Sequence, residues 1–166
     1  MQGLIIWGVF TVVAAVFCCW KPQPARLCMG VFFAAMGLGI HGTFILTNPQ
    51  GYVDFAANAP IPVYSDIGLA LIEPNPQAFG LFMLIFETAV SLLILSRGRY
   101  VKLGLLTAVV FLLAITPLGA EELPNVILAA GMASLLTHQF PTDALTLLRS
   151  RLRDRRIAGT HATRAG

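Results

Sequence analysis

The sequence contains little charge. Asp, Glu, Lys and Arg make up 11% of its 166 residues, less than half of the roughly 25% that is usual for soluble domains. Hydrophobic residues make up 57%, and a chain of this size has no interior large enough to bury so much apolar surface. This composition excludes a disordered chain and a nucleic-acid-binding domain. We therefore predict a protein that lies in the lipid bilayer.

The sequence also has few cysteines and no recognisable catalytic motif. Its three cysteines, Cys18, Cys19 and Cys28, are too few for a disulfide scaffold and have no CxxC spacing. We expect them to be small apolar packing residues. No phosphate-binding loop, no metal-binding spacing of His and Cys and no nucleophilic Ser motif occurs, so we predict no metal site. If the protein takes part in an enzymatic reaction, we expect the chemistry to belong to a partner or a cofactor.

Several apolar stretches approach the length of about 20 residues that a membrane-spanning helix needs. There are five of them: Leu4–Cys19, Leu27–Leu46, Ala78–Ser96, Leu103–Gly119 and Pro124–Phe140. We therefore predict an all-α fold, an integral membrane bundle of five spans in one domain at residues 1–148. A tail at residues 149–166 follows it.

The cations predict the orientation of the bundle. If the five stretches alternate in direction, all 11 Lys and Arg residues fall on one side, and Lys and Arg collect on the cytoplasmic side. We therefore predict an external N-terminus and a cytoplasmic C-terminus in the inner (plasma) membrane of a bacterium. No cation precedes the first stretch and no small-residue cleavage site follows it, so we expect an uncleaved anchor rather than a signal peptide. Removal of this stretch would leave the orientation of the other four unchanged.

The predicted external segment at residues 47–77 is too long to be a simple connection. It contains half of the ten prolines, which exclude one long helix. Ser65 or Asp66 is predicted to cap a short helix that ends near Ile72. The residues of this segment that are candidates for contacts are Tyr52, Asp54, Tyr64 and Asp66. We favour a cap that lies on the bundle; the alternatives are a lid over an outward-opening cavity and a docking face for an external partner.

The tail has the pattern of a basic amphipathic helix. Leucines recur at helical spacing along one face, and arginines form a neighbouring stripe. Such a helix binds the inner membrane surface, where each Arg adds about 1 kcal/mol of attraction to anionic lipid. Aromatic or base-reading residues are not interleaved with the arginines, so we predict no nucleic-acid partner. The predicted lipid contacts are Arg149, Arg151, Arg153 and Arg156.

Glu87 lies near the middle of the third stretch, where an ionised carboxyl that faces lipid costs several kcal/mol. We expect it to face the interior of the bundle, with His41 as its partner. At a rise of about 1.5 Å per residue, His41 and Glu87 lie roughly 7 Å and 13 Å below the outer ends of their helices, a difference that the side chains can close. The glycines around His41 are predicted to let another helix approach closely, and Ala35 with Gly39 provides a small-xxx-small spacing. The pair is either a structural polar contact or a ligand, proton or quinone site, and both alternatives stay open.

Several helices and residues follow one another along the chain in a specific order. Arg26 opens a Gly-rich helix, a proline-containing segment follows, and a later helix carries an inner glutamate, Glu87, before a short basic turn; the last helix opens with Asn125. From Arg26 to about Leu148 the sequence thus resembles the DoxX family of small membrane proteins, which have a four-helix core. The first stretch is an addition to that core, and His41 stands where the family often has a lysine.

The resemblance implies a functionally mixed family. Some members look like membrane subunits of quinone-reducing sulfur oxidation systems, and others associate with thiol-stress proteins or act as assembly factors. Our first hypothesis is a non-catalytic membrane subunit or assembly partner, which binds the lipid bilayer and either another protein or a second copy of the chain. The second is a quinone-linked oxidoreductase subunit with its ligand beside His41 and Glu87. The third is a small proton-coupled transporter that uses Glu87.

Overall fold

The computed structural model describes residues 2–147, and this part of the chain contains helices and turns but no strand. Two 3-10 turns, Thr116–Leu118 and Ala120–Glu122, precede the last helix. The helices are α1 (Gln2–Trp20), α2 (Pro22–Ala34), a π-helical segment (Ala35–His41), α3 (Gly42–Thr47), α4 (Gln50–Ala57), α5 (Pro62–Ile72), α6 (Pro76–Leu95), α7 (Arg99–Ile115) and α8 (Asn125–Leu135). The π segment joins α2 and α3 into one continuous helix, Pro22–Thr47, of 26 residues.

Four helical stretches are long and apolar enough to cross a membrane: Gly3–Trp20, Pro22–Thr47, Pro76–Leu95 and Arg99–Leu118. They confirm the prediction of an all-α, multi-pass membrane protein. The predicted fifth span differs, because α8 has 11 residues and is about 16 Å long, roughly half the thickness of the hydrocarbon layer. Five crossings and an external N-terminus stay predictions.

Five helices close a ring around the core. α1 packs on α2, α2 on α6, α6 on α7, α7 on α8, and α8 packs back on α1. α8 approaches α1 closely because Gly131 faces Ala15; a Cβ atom on Gly131 would lie 2.5 Å from the Cα atom of Ala15. The first stretch, predicted as an addition to a four-helix core, therefore completes the ring. The fully buried side chains of this core include Phe33, Val90, Ile94, Leu105, Leu128 and Met132.

Charged residues lie at the two ends of the bundle. One end, here the basic end, contains the turn between α1 and α2 and the turn between α6 and α7, with Lys21, Arg97 and Arg99. The other, here the acidic end, contains α4, α5 and the turns that precede α8. It carries five acidic residues: Asp54, Asp66, Glu73, Glu121 and Glu122.

Arg26, one of the 11 cations predicted to lie on the cytoplasmic side, is a buried residue rather than an exposed loop cation. Its side chain is fully buried. The guanidinium donates to the carbonyl oxygens of Ser96, at 2.9 Å, and Thr142, at 3.1 Å, and it lies over the ring of Phe140, at 4.9 Å from the centroid. Arg26 therefore ties α2 to the α6–α7 turn and to the chain that follows α8.

The segment at residues 47–77 folds into two helices, α4 and α5, that pack on each other and on α6 at the acidic end. α5 ends at Ile72, where the sequence predicted, but the predicted cap at Ser65 or Asp66 is wrong. The helix begins three residues before Ser65, at Pro62, after Ile61 in an extended conformation. Proline fits the first turn of a helix because the backbone N–H that it lacks would have no helical partner there. α4 was not predicted.

A further helical turn follows α8 and precedes the predicted tail at residues 149–166. The side chain of Asp143 accepts a hydrogen bond from the backbone N–H of Thr146, at 2.7 Å, and residues 144–147 are helical. The predicted lipid contacts, Arg149, Arg151, Arg153 and Arg156, lie outside the described residues, so this part of the prediction is untested.

Candidate functional site

A cavity of about 720 Å³ lies inside the half of the bundle that is nearer the acidic end. Sites for small molecules commonly measure about 300–1,000 Å³ and have mostly apolar walls with a few polar groups. The wall is predominantly apolar and aromatic, and includes Trp7, Phe32, Phe33, Met36, Phe44, Phe79, Met83 and Phe111. The polar side chains that interrupt it are His41, Tyr52, Asp54, Asn58, Tyr64, Glu87, Glu122 and Asn125.

Three of these polar side chains, from three different elements, lie next to one another; we call them the polar triad. His41 ends the π segment, Tyr52 lies on α4, and Glu87 lies on α6. The Nδ1 atom of His41 lies 2.8 Å from the Tyr52 hydroxyl oxygen, and its Nε2 atom lies 3.4 Å from Oε2 of Glu87. The structure thus brings the two predicted neighbours, His41 and Glu87, together and adds Tyr52 to them.

Gly37 explains how the π segment comes close enough to α6 to form this triad. A Cβ atom on Gly37 would lie 3.1 Å from the carbonyl oxygen of Leu84 and 3.2 Å from Cβ of Glu87. The predicted close approach of another helix at the glycines near His41 is thus confirmed at Gly37, whereas Gly39 has no neighbour within 4 Å, so the small-xxx-small pair of Ala35 and Gly39 is not the contact. A π-helical turn contains more residues than an α-helical turn, and this changes which glycine faces the neighbouring helix.

Tyr52 is held by packing as well as by its hydrogen bond. Gly80 lies under its ring, and a Cβ atom there would come within 2.8 Å of the ring. The ring of Phe79 contacts that of Tyr52 edge to face, with centroids 5.6 Å apart. Burial raises the pKa of the Tyr52 hydroxyl, and the nearby carboxyl of Glu87 raises it further. The hydroxyl therefore stays protonated and able to donate a hydrogen bond.

Glu87 is buried, with 3% of its surface exposed, and its hydrogen bonding is incomplete. The contact with His41 is close enough for an ion pair, but Oε2 has no hydrogen-bond partner among the described residues, and neither has the hydroxyl of the adjacent Thr88. A buried polar group without a partner costs about 1–3 kcal/mol. Such a group therefore needs an explanation, and a ligand or a water molecule is a common one.

The triad can hold its protons in two arrangements. In the first, Tyr52 donates to Nδ1 of His41, and the Nε2–H group faces the carboxylate of Glu87. In the second, the Nδ1–H group donates to the oxygen of Tyr52, and a protonated Glu87 faces Nε2, so the Tyr52 hydroxyl hydrogen is free to point into the cavity. The second arrangement holds one proton more than the first.

A second polar group lines the same cavity where α1 meets α8. The indole N–H of Trp7 donates to the side-chain oxygen of Asn125, at 3.0 Å, and the side-chain amide of Asn125 donates to Oε2 of Glu122, at 2.6 Å. Burial raises the pKa of Glu122, the hydrogen bond from Asn125 partly offsets this, and Glu121 adds to the rise. The structure half-buries Glu122, and no pattern in the sequence indicated that Trp7 would be linked to it through Asn125.

The remaining predicted contact residues of the 47–77 segment lie in different places. Asp54 and Tyr64 line the cavity and are exposed at its rim. Asp66 is exposed on α5 and does not line the cavity. The cavity therefore involves three of the four candidates, of which only Tyr52 contacts His41.

Comparisons with protein-family models, curated proteins and solved structures found no match to this chain. The resemblance to the DoxX family from Arg26 to about Leu148 therefore stays a prediction. The function has to be inferred from the geometry of the cavity itself.

Proposed function

We propose that this chain is a membrane subunit that binds a lipid-soluble molecule with a carbonyl-bearing head, of the quinone class, in the cavity beside the polar triad. The observation that carries the proposal is the polar triad, whose Tyr52 hydroxyl can donate a hydrogen bond toward the cavity, in an otherwise apolar cavity wall. A purely apolar ligand would leave these groups unsatisfied, and a strongly polar ligand would not fit the rest of the wall.

The residues present fit such a head. Tyr52 can donate a hydrogen bond to a carbonyl oxygen in the second proton arrangement of the triad, and the rings of Phe32, Phe79 and Phe111 supply flat apolar surfaces for a ring. When bound, a quinone would supply two carbonyl oxygens and a ring that accepts electrons and protons. The triad would orient the head, exclude bulk water from it and hold a proton at the Tyr52 oxygen.

Because of this cavity, we prefer ligand binding to the first hypothesis from the sequence, a non-catalytic subunit. Assembly with a partner or a second copy needs an outer surface and gives no reason for a polar triad inside the bundle. The non-catalytic role and the proton-coupled transporter stay predictions. Absence of ligand binding in the experiment below would favour the non-catalytic role.

Tryptophan fluorescence provides a direct test because the chain has two tryptophans in different surroundings. Trp7 lines the cavity, whereas Trp20 is 75% exposed at the basic end. A Trp20→Phe protein in lipid nanodiscs therefore reports on the cavity alone, and a Trp7→Phe protein reports quenching by quinone dissolved in the lipid. We expect a tailless naphthoquinone to quench Trp7 saturably and to quench Trp20 only in proportion to its concentration.

Substitutions in the triad then test the assignment of the site. In the Trp20→Phe background, we expect Tyr52→Phe, which removes the hydroxyl that donates to the ligand, and His41→Leu, which removes the partner that orients this hydroxyl, each to weaken binding by about tenfold, the equivalent of one hydrogen bond. Tyr64→Phe is the matched control, because it removes a hydroxyl at the cavity rim. Equal quenching of Trp7 and Trp20, or unchanged affinity in both triad variants, would refute the proposal.

A further inference from the structure

The wall of the cavity is incomplete between α1 and the second long helix, Pro22–Thr47. These helices are joined by aromatic contacts, with ring centroids of Trp7 and Phe32 5.9 Å apart and those of Phe10 and Phe32 5.3 Å apart. Nearer the acidic end they take different partners. α1 packs on α8 and on the turn Ala120–Glu122, whereas the π segment and α3 pack on α6. The two helices therefore diverge on the acidic-end side of Phe32.

One row of apolar side chains lines this divergence. Met36, Ile40 and Phe44 follow one another at intervals of four residues along Pro22–Thr47, and all three line the cavity. Ile40 is also 48% exposed and Phe44 38% exposed. Side chains that belong both to the cavity wall and to the outer surface mark an opening. Ile40 and Phe44 mark one beside the second long helix, which we call the lateral gap and which is distinct from the rim at Asp54 and Tyr64.

The position of Ile40 along its helix places the lateral gap at the level of the lipid. Ile40 lies seven residues before the end of Pro22–Thr47, or about 10 Å from that end at 1.5 Å per residue. For a helix that crosses a hydrocarbon layer about 30 Å thick, this depth is among acyl chains rather than in water. The exposed neighbours Leu38 and Ile40 are apolar, as lipid contact requires.

We propose that the ligand enters the cavity from the lipid through the lateral gap, and that it is a ring with a long apolar tail that stays in the gap and in the bilayer. This inference rests on the proposed function and specifies its ligand. A space of 720 Å³ equals a sphere about 11 Å across, which can enclose a ring head but not a long tail. A tail that remains among acyl chains loses little, because lipid is as apolar as an aliphatic side chain.

The first test leaves the residues around the lateral gap unchanged. The Trp20→Phe protein in nanodiscs is titrated with 2-methyl-1,4-naphthoquinone and with the same ring carrying a tail of nine isoprene units, and affinity is expressed as mole fraction in the lipid. We expect the two affinities to agree within about threefold, since the tail stays in lipid. Binding of the tailed probe that is weaker by more than about tenfold would show a closed cavity and overturn the inference.

The second test obstructs the gap. Ile40→Phe is introduced into the Trp20→Phe protein, in which Trp7 is the reporter. Leu38→Phe is the matched control, because Leu38 is 59% exposed on the same segment but does not line the cavity. We expect Ile40→Phe to weaken binding of the tailed probe by about tenfold and to change the affinity of the tailless probe by less than about threefold. We expect Leu38→Phe to change neither affinity. Equal effects of Ile40→Phe on both probes, or no effect on either, would overturn the inference.

The outcomes separate the two proposals. If neither probe quenches Trp7 saturably, the proposed function fails and this inference fails with it. If the tailless probe binds and the tailed probe does not, the site stands and only the lateral gap fails. If Ile40→Phe does not fold, the comparison of the two probes on the unobstructed protein decides the inference alone.

Discussion

Gly37 is the residue whose replacement tests how the site is assembled. In Gly37→Ala, the new methyl group would lie 3.1 Å from the carbonyl oxygen of Leu84 and 3.2 Å from both Cβ of Glu87 and the hydroxyl oxygen of Thr88. The carbonyl belongs to the α6 backbone and cannot rotate away, so the π segment has to move. Overpacking of this kind costs about 1–3 kcal/mol, while alanine in place of glycine in a helix gains about 0.5–1 kcal/mol.

Gly39→Ala is the matched control because it lies in the same π segment and has nothing within 4 Å of the added methyl group. Both variants gain the same stabilisation from replacing a helical glycine by alanine. The difference between their free energies of unfolding therefore gives the steric cost at Gly37. We expect Gly37→Ala to be less stable than Gly39→Ala by about 1–3 kcal/mol, measured by equilibrium unfolding in mixed micelles. We also expect weaker quinone quenching of Trp7 only in Gly37→Ala, because His41 moves away from Glu87. A Gly37→Ala protein as stable as Gly39→Ala would refute this account of the site.

Two further predictions concern buried charge at the ends of the bundle. Burial raises the pKa of Glu122 above its ordinary value of 4.5. The proton on Glu122 therefore stabilises the fold fully below that value, and this contribution is lost as the pH rises through the folded pKa. Glu122→Gln should flatten the fall of the unfolding temperature between pH 4.5 and neutral pH, and Glu121→Gln should flatten it less, because Glu121 only adds to a rise that burial causes. A Glu122→Gln profile parallel to that of the wild type would contradict the assignment. Arg26→Met removes two charge-assisted hydrogen bonds to carbonyl oxygens and should lower the free energy of unfolding by about 2–5 kcal/mol. Arg97 is exposed, so Arg97→Met should change the free energy of unfolding by less than about 0.5 kcal/mol. Equal effects of the two substitutions would show that the Arg26 hydrogen bonds do not stabilise the fold.

The long helices could be predicted because length and apolarity are local properties of the chain. The inward direction of Glu87 could be predicted from the cost of a carboxyl in lipid. The choice of His41 as its neighbour needed only the depth of each residue along its helix. These inferences do not depend on which helices are adjacent in the bundle.

Other features depend on tertiary contacts that no local pattern indicates. Tyr52 reaches His41 only because α4 folds back over the end of α6, and the prolines of the segment indicated breaks in the chain but not its direction. Gly37 rather than Gly39 faces α6 because of the π segment, which has no distinctive composition. Arg26 was counted among the loop cations because its position next to a turn hid the fact that three chain segments meet around it.

The incomplete hydrogen bonding of Glu87 bears on the two interpretations of the pair with His41 that the sequence left open. A contact that serves only to hold helices together gains most when every buried polar atom has a partner, since a half-satisfied network is less stable than apolar packing. Here Oε2 of Glu87 and the hydroxyl of Thr88 lack hydrogen bonds, although the π segment and Gly37 allow close helix packing at this point. The same segment also places His41 at the wall of a cavity with apolar space beside it. A ligand whose polar head accepts a hydrogen bond from the Tyr52 hydroxyl explains the space beside the triad, whereas a purely structural role of the pair gives no reason for this space, and this favours the ligand site.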